Sequence, residues 1–337
     1  MKHGHHLDQI SAQKMTPIVN VAPLFDNNAE AWANVDRLIG EACERRGGLV
    51  VTGLPQLSQQ YASLEKGFDI FDLPESVLYD IAKREMRHDS KLTMRGYMKH
   101  TGGFSYSEGF DLGTEKSLRG PEIDGIDMLL HTNAWPSQEP NLGWRKEMVE
   151  LFQRMESLGT MVVRSIARYL GSDESAAANR YQKSNSTLRF LKYPENPDMA
   201  TPLRGEKDAT LMIDGREVPV VTIEHTDNGG LTFQWQDEPG LQLQTPEGEW
   251  LNVPNIRDGF SVHLGEALET QTSGRMRATP HRVYSTGNNR QSMAFFFDPN
   301  LYSSVKPFST VPNEPRASDE DTYAASMINT LRETGRA

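Results

Sequence analysis

The hydrophobic period of this sequence changes near Asn185, and that change limits the possible folds more than any other feature of the chain. Before it, apolar residues recur at three- and four-residue steps, which predicts amphipathic helices over Ala29–Arg46 and from about 142 to 170. Beyond it, apolar and polar residues alternate, as they do in half-buried strands. The predicted strands are Thr187–Tyr193, Val220–Ile223, Leu231–Gln236, Leu241–Gln244, Gly259–Leu264, His281–Tyr284 and Ser292–Phe297.

Turn signals separate many of these short strands, among them Asp214-Gly215 and Glu238-Pro239-Gly240. Many short strands joined by regular turns are typical of an antiparallel sandwich, a jelly roll or a barrel. The sequence therefore predicts a mainly β core with helical flanks rather than two independent domains. We expect a helical and mixed supporting region over residues 1–180, the β core over 181–305, and a tail with a short helix over 306–337.

Charge and cysteine content argue against several classes of protein. The 337 residues carry 35 Lys and Arg against 46 Asp and Glu, a net charge of −11, with no block of cations that would neutralise phosphates. No stretch approaches the ~18 apolar residues of a membrane span. With Cys43 as the only cysteine, neither an internal disulfide nor a thiolate metal cluster can form. We expect a cytoplasmic protein that binds neither nucleic acid nor membrane; the sequence makes no prediction of its oligomeric state.

Three residues of the β region form a candidate metal site. His225 and Asp227 are two apart in sequence, and on a strand such residues point to the same face. His281, in a later predicted strand, can supply a third ligand, although a histidine that only packs in a barrel is the alternative for it. Two histidines and one carboxylate on one face of a metal leave the opposite positions open. This arrangement is typical of non-haem Fe(II) sites that react with O2.

Arg290 and Ser292 alternate onto one face of the last predicted strand, beside the candidate metal site. An arginine binds a carboxylate through two parallel N–H groups, and a serine hydroxyl adds one more donor. An arginine that faces the inside of a barrel is costly unless an anion meets it. The pair therefore predicts a carboxylate ligand, with a structural salt bridge of Arg290 as the alternative.

With these motifs in place, the sequence resembles the isopenicillin N synthase-like family of Fe(II)- and 2-oxoglutarate-dependent oxygenases. The resemblance extends over about residues 16–305 and is most specific in its C-terminal motifs. The segments that carry it are His225-Thr226-Asp227, His281-Arg282-Val283, Arg290-Gln291-Ser292 with the following Met293–Phe297, Leu191–Pro194, Thr16–Val21, Gly47–Val51 and Arg95-Gly96-Tyr97.

The resemblance implies a double-stranded β-helix, or jelly-roll, core supported by N-terminal helices, with the family's N-terminal region at about residues 16–135. It implies that the three candidate ligands bind Fe(II). It also implies that Arg290 and Ser292 bind the distal carboxylate of 2-oxoglutarate with help from Tyr193. The implied activity is a dioxygenase reaction in which O2 and 2-oxoglutarate oxidise a small molecule by hydroxylation, desaturation or cyclisation.

Two alternatives stay open at this point. Isopenicillin N synthase has similar local features, including the Arg-Gln-Ser triplet, but it uses no 2-oxoglutarate, and its polar residues hold the carboxylate of its substrate. A co-substrate-free Fe(II) oxidase of that type is therefore the first alternative. The second is a non-catalytic jelly-roll binding protein that has kept these residues by descent.

Three further residues are predicted to contact the substrate. Strand alternation places Arg189 on the same face as Tyr193, which favours a small anionic or amino-acid-like substrate, unless Arg189 pairs with a nearby carboxylate. Phe104 and Tyr106 lie in a glycine-containing segment that corresponds to substrate-facing loops of the family, with ordinary loop packing as the alternative.

Overall fold

The computed structural model describes residues 15–333 apart from residues 27, 56, 117, 119, 196–202, 204–209 and 310–317. Its strands are β1 (Ile18–Asn20), β2 (Gly48–Thr52), β3 (Gly96–Gly102), β4 (Ser105–Gly113), β5 (Thr187–Tyr193), β6 (Thr210–Ile213), β7 (Arg216–His225), β8 (Leu231–Gln236), β9 (Leu241–Gln244), β10 (Trp250–Asn252), β11 (Gly259–Leu264), β12 (His281–Tyr284) and β13 (Arg290–Phe297). Its α-helices are α1 (Ala29–Arg46), α2 (Leu57–Gly67), α3 (Glu75–Asp80), α4 (Trp144–Tyr169), α5 (Glu174–Asn179), α6 (Glu266–Gln271) and α7 (Tyr323–Glu333). No helix among the described residues is long and apolar enough to cross a membrane.

The strands form one sheet that bends around a pocket. Its order is β1-β2-β11-β8-β13-β5-β4-β7-β12-β9-β10, with β3 added to β4 and β6 added to β7. Only the first pair, β1 with β2, is parallel. A single residue pair, Ser105 with Thr222, joins β4 to β7, and residues of the strands on either side of this junction line the same pocket. The sheet therefore turns at this junction and encloses the pocket between its two halves.

Helix α4 supports the sheet from outside. Its apolar stripe is buried from Met148 to Ile166, and Phe152 on that stripe packs edge-to-face on Phe295 of β13 with ring centroids 5.3 Å apart. On its other side, Arg168 forms two hydrogen bonds with Asp36 of α1, at 2.7 and 2.8 Å. The β core is thus held by a helical layer that covers one half of the sheet.

The prediction of a mainly β core with helical flanks is confirmed. Helix α1 has the predicted bounds, and five of the seven predicted strands have the predicted bounds. The strand predicted over Val220–Ile223 instead runs over Arg216–His225 as β7, because β6 and β12 pair with its two ends. The last strand begins at Arg290, two residues earlier than predicted, because Arg290 pairs with Tyr193 of β5.

The prediction that the first half of the chain is mainly helical missed a hairpin. Strands β3 and β4 pair over their whole length, and β4 also pairs with β5, so this hairpin is part of the pocket wall. Glycines at 96, 102, 103, 109 and 113 interrupt its apolar alternation, so the sequence shows no clear period of two there. Strands β1 to β4 all precede residue 180, so the supporting region contributes to the same sheet.

Candidate metal centre and anion site

His225, Asp227 and His281 meet at one end of the pocket. His225 ends β7, His281 begins β12, and the two residues are direct partners across this antiparallel strand pair. One ligand atom from each of the three side chains lies within 4.8 Å of the others. Oδ1 of Asp227 lies 3.9 Å from Nε2 of His225, and Oδ2 of Asp227 lies 3.8 Å from Nε2 of His281. The structure therefore brings the three predicted ligands together.

Backbone contacts fix which nitrogen of each imidazole is free. Nδ1 of His225 lies 2.8 Å from the carbonyl of Ile223, and Nδ1 of His281 lies 3.1 Å from the carbonyl of Thr279. A carbonyl only accepts, so we assign the proton of each ring to Nδ1. Each Nε2 then presents a lone pair toward Asp227, which is the tautomer that a metal ligand requires.

The charges of this site suit a divalent cation. Burial lowers the pKa of His225 and of His281 to about 4, with smaller contributions from neighbouring imidazoles, so both rings are neutral at pH 7. Burial alone would raise the pKa of Asp227, but His281, His263 and His225 together hold it below its usual range. Two neutral imidazoles and one buried carboxylate are in the protonation states that Fe(II) binding needs. The residues present therefore fit the metal that the sequence implied.

Two further side chains, Thr232 and His263, orient the carboxylate of Asp227. Its Oδ2 accepts a hydrogen bond from the Thr232 hydroxyl at 2.5 Å, and Nε2 of His263 lies 3.2 Å from the same oxygen. His263 is fully buried on β11, with its ring centroid 4.3 Å from that of His281. Because both donors meet Oδ2, Oδ1 is the oxygen left without a hydrogen bond among the described residues.

Arg290, at the start of β13, has an unused buried donor. Its NH2 donates to Oε1 of Gln236 at 2.7 Å and its Nε donates to the carbonyl of Glu238 at 3.2 Å. Its guanidinium carbon lies 4.9 Å from the ring centroid of Tyr193. Its NH1 is buried and has no hydrogen-bond partner among the described residues. A buried unpaired guanidinium nitrogen is costly, so it fits the carboxylate that the sequence implied.

Ser292 lies two residues further along β13, fully buried. Its hydroxyl donates to the carbonyl of Trp235 at 3.0 Å and accepts from Nε2 of Gln234 at 2.9 Å. Tyr193 and Gln234 line the pocket, and Arg290 and Ser292 lie immediately behind them. The predicted anion-binding residues are therefore together, at the wall beside the metal centre.

Comparisons with known proteins agree with this geometry. Residues 174–299 match the family model of the 2OG-Fe(II) oxygenase superfamily. The 2-oxoglutarate-dependent dioxygenase citB of Monascus ruber is 28% identical over 324 residues, which cover 93% of this chain and 93% of that protein. Isopenicillin N synthase of Amycolatopsis lactamdurans is 24% identical, over 87% of each chain. A full-length Neurospora crassa protein crystallised with alpha-KG has a TM-score of 0.73 at 20% identity, covering 95% of this chain and 97% of that one.

Residues 174–299 therefore form a 2OG-Fe(II) oxygenase superfamily domain, and the similarity to relatives named as such enzymes extends over most of the chain. Fe(II), 2-oxoglutarate and O2 are the cofactor and co-substrates of this superfamily, and the chain is an oxidoreductase. The predicted jelly-roll fold is confirmed by its structural neighbours. The enzyme is favoured over the non-catalytic binding protein, because the relatives are dioxygenases and oxidoreductases.

Two of the three residues that were predicted to contact the substrate line the pocket. Phe104 lines the pocket and packs edge-to-face on His225, with ring centroids 4.7 Å apart. Arg189 also lines it, and Nε and NH2 of its guanidinium donate to Asp111, so the carboxylate pairing given above as the alternative is present as well. Tyr106 is buried in the core beside the pocket, because Ser105 and Ser107 take the pocket-facing positions of β4.

A row of polar residues on β8 escaped the sequence analysis. Thr232, Gln234 and Gln236 alternate with apolar residues, and all three are buried. They contact Asp227, Ser292 and Arg290 in that order, so one strand connects the metal centre to the anion site. The signal was available: three polar residues at every second position of an otherwise apolar strand indicate a polar interior.

Proposed function

We propose that this oxygenase couples the decarboxylation of 2-oxoglutarate to the oxidation of a small organic molecule bound in the pocket. The observation that carries the proposal is the unpaired buried NH1 of Arg290 beside a three-residue metal centre. The relatives support it, because citB is named a 2-oxoglutarate-dependent dioxygenase. A small-molecule substrate is supported by the Neurospora crassa protein, which was crystallised with alpha-KG and thymine.

In this proposal, His225, Asp227 and His281 hold Fe(II). When bound, Fe(II) and 2-oxoglutarate supply the chemistry that activates O2 and releases succinate and carbon dioxide. The protein contributes placement, since the two imidazoles and the carboxylate are fixed by hydrogen bonds before metal binds. It also limits water, because Asp227 and His281 are buried and Phe104 covers the ring of His225.

Arg290, Ser292 and Tyr193 bind the distal carboxylate of 2-oxoglutarate in this proposal. NH1 of Arg290 is the free donor, and Gln236 holds the guanidinium in place through NH2. The other candidate function is the co-substrate-free oxidase, which is favoured by the match to isopenicillin N synthases. In that case the same arginine would bind the carboxylate of the substrate.

The deciding experiment is an anaerobic Fe(II) titration followed by addition of 2-oxoglutarate, with the visible charge-transfer band of the chelate as the readout. We expect the band in the unchanged enzyme and its loss in His225→Ala. Arg290→Leu is expected to weaken 2-oxoglutarate binding about 10- to 100-fold, the effect of one charged hydrogen bond of ~1.5–3 kcal/mol. Arg282→Leu is the matched control, because Arg282 lies outside the pocket lining, stacked on Trp250 at 3.8 Å.

The outcomes separate the two functions. Tight Fe(II) binding without the band would overturn the 2-oxoglutarate proposal and favour the oxidase. Failure to bind Fe(II) would overturn both. Equal 2-oxoglutarate affinities of Arg290→Leu and Arg282→Leu would remove Arg290 from the assignment.

We further propose a cytoplasmic location. Cys43 is a buried free thiol, which suits a reducing compartment. Fractionation of cells that express the protein tests this, and recovery outside the cytoplasm would contradict it.

A further inference from the structure

We propose that the substrate of this oxygenase is a small organic acid and that Arg189 binds its carboxylate. The proposal rests on the proposed function, because it concerns a second anion site in the same pocket. It is carried by an excess of positive charge around Asp111, which lies behind the pocket wall.

Two cations share the single carboxylate of Asp111. Arg189 donates to it through Nε and NH2, each at 2.7 Å, and Nζ of Lys83 lies 2.5 Å from Oδ2. Asp111 and Lys83 are both buried. Arg95, also buried, lies close enough to interact electrostatically with Asp111 and Arg189, whereas the nearby Glu85 is exposed to solvent. The cluster of Lys83, Asp111 and Arg189 therefore carries one more positive than negative charge. The other buried carboxylate that acts on Arg189 is Asp227, whose charge a bound metal cation would neutralise.

The pKa of Lys83 is lowered mainly by its burial, and the excess charge adds to this. Burial lowers the pKa of its ammonium and Arg189 lowers it further, while Asp111 opposes both. A buried charge is costly unless an opposite charge meets it. An anion bound at Arg189 would supply that charge.

Arg189 is the member of the cluster that reaches the pocket. Its side chain is 27% exposed, against 6% for Lys83 and 1% for Asp111. Its NH1 forms no hydrogen bond with the described residues, and its guanidinium carbon lies 5.0 Å from the ring centroid of Phe296. Asp111 and Phe296 thus fix the guanidinium while its outer edge stays free. A fixed guanidinium binds a carboxylate with little loss of entropy.

Arg189 is also well placed relative to the 2-oxoglutarate site. On β5 it is four residues from Tyr193, or ~13 Å along the strand. On β13, Ala294 faces Arg189 and Arg290 faces Tyr193. The two arginines therefore lie at opposite ends of the wall, so each can bind its own carboxylate at the same time. Arg189 lines the same pocket as His225, Asp227 and His281, so a substrate bound to it lies near the metal centre.

The other residues that line the pocket indicate what the rest of the substrate molecule looks like. Met98, Phe104 and Leu191 supply apolar surface, and Ser105 and Thr222 supply hydroxyls that lie 2.9 Å apart. An organic acid with an apolar body and few polar groups fits these contacts better than an inorganic anion.

The test uses full-length enzyme loaded anaerobically with Fe(II) and 2-oxoglutarate, so that Arg290 is occupied and no turnover occurs. The probes are benzoate, phenylacetate, hexanoate and L-phenylalanine, each paired with its primary amide. Benzenesulfonate and phenyl phosphate serve as other anions. Binding is read from the shift of the charge-transfer band and of Tm. We expect at least one acid to bind at least ~10-fold more tightly than its amide. Tighter binding of the sulfonate or phosphate than of every acid would overturn the choice of a carboxylate.

Two variants test whether the preference for acids over amides depends on Arg189 and Lys83. Arg189→Gln is expected to abolish the preference for acid over amide while the 2-oxoglutarate band is kept. Lys83→Met keeps the Arg189–Asp111 pair but removes the excess charge, so it is expected to weaken acid binding about three- to tenfold. If Arg189→Gln unfolds, as its Tm would show, Lys83→Met and Arg189→Lys provide the same comparison.

Three results would overturn the inference: no acid binds, the amides bind as well as the acids, or the variants bind the acids as the unchanged enzyme does. If the band itself is absent in the unchanged enzyme, the proposed function fails instead. A band that persists without any preference for acids refutes only the role of Arg189.

Discussion

Asp227 accepts hydrogen bonds at Oδ2 from the Thr232 hydroxyl and from Nε2 of His263, and its Oδ1 stays on the side of His225. At the scale of single residues, this division orients the carboxylate before a metal is bound. Donors behind a ligating carboxylate fix its rotation and adjust its basicity, and their loss usually weakens metal binding. His263 and Thr232 are therefore positioning residues for the metal centre.

His263→Phe and Thr232→Val are each expected to lower Fe(II) affinity about 10- to 100-fold, because Asp227 loses one of the two donors that orient it. His263→Asn keeps a donor at this position and is expected to recover part of the affinity. Anaerobic Fe(II) titration measures the effect, with Tm as the control for folding. Unchanged affinity in His263→Phe would show that the histidine only fills space.

At the scale of secondary-structure elements, the anion site depends on how closely α4 approaches β13. Gly159 of α4 faces Phe297, and a Cβ added at this glycine would lie 2.5 Å from the ring. Phe297 cannot retreat freely, because it stacks on Tyr181 with ring centroids 4.8 Å apart. β13 carries Arg290 and Ser292, so the packing of this helix holds the anion site in register.

Gly159→Ala is expected to destabilise the protein by about 1–3 kcal/mol through overpacking, although alanine has the higher helix propensity. Ser157→Ala, on the exposed side of the same helix, is the control and is expected to change the free energy of unfolding little. Urea denaturation measures both variants. A Gly159→Ala variant as stable as the control would contradict the close approach.

At the scale of the whole molecule, a buried carboxyl couples stability to pH. Asp298 follows β13 and packs against Gly229, in the turn after Asp227. Burial raises the pKa of Asp298 to about 8, and Arg95 offsets this only in part. In the unfolded chain the same group has a pKa of ~3.9.

Because the folded pKa is the higher one, the folded state holds more protons between pH 4 and 8, and Asp298 contributes less stability as the pH rises through this range. Asp298→Asn, which cannot ionise, is expected to flatten the fall in stability between pH 4 and pH 8. The measurement is Tm against pH for both proteins. Parallel curves would show that Asp298 does not titrate in this range.

Much of this architecture could be predicted from the chain alone. The bounds of α1 and of most core strands follow from periodicity, which is a local property of the sequence. The three candidate metal ligands were also predictable, because they stand in the recognisable motifs His225-Thr226-Asp227 and His281-Arg282-Val283, although β7 ends at His225 and Asp227 lies just beyond it. Arg290 and Ser292 could be predicted for the same reason.

Only the tertiary structure decides which residues that are distant in sequence contact one another. Asp111 meets Arg189 because β4 and β5 pair in one register, and His263 meets Asp227 because β11 lies beside β8. A shift of one residue in either register would turn these side chains to the opposite face. Local sequence determines where strands form and which side chains share a face. The register and bending of the assembled sheet determine which charges and donors meet, and so how the site holds its ligands.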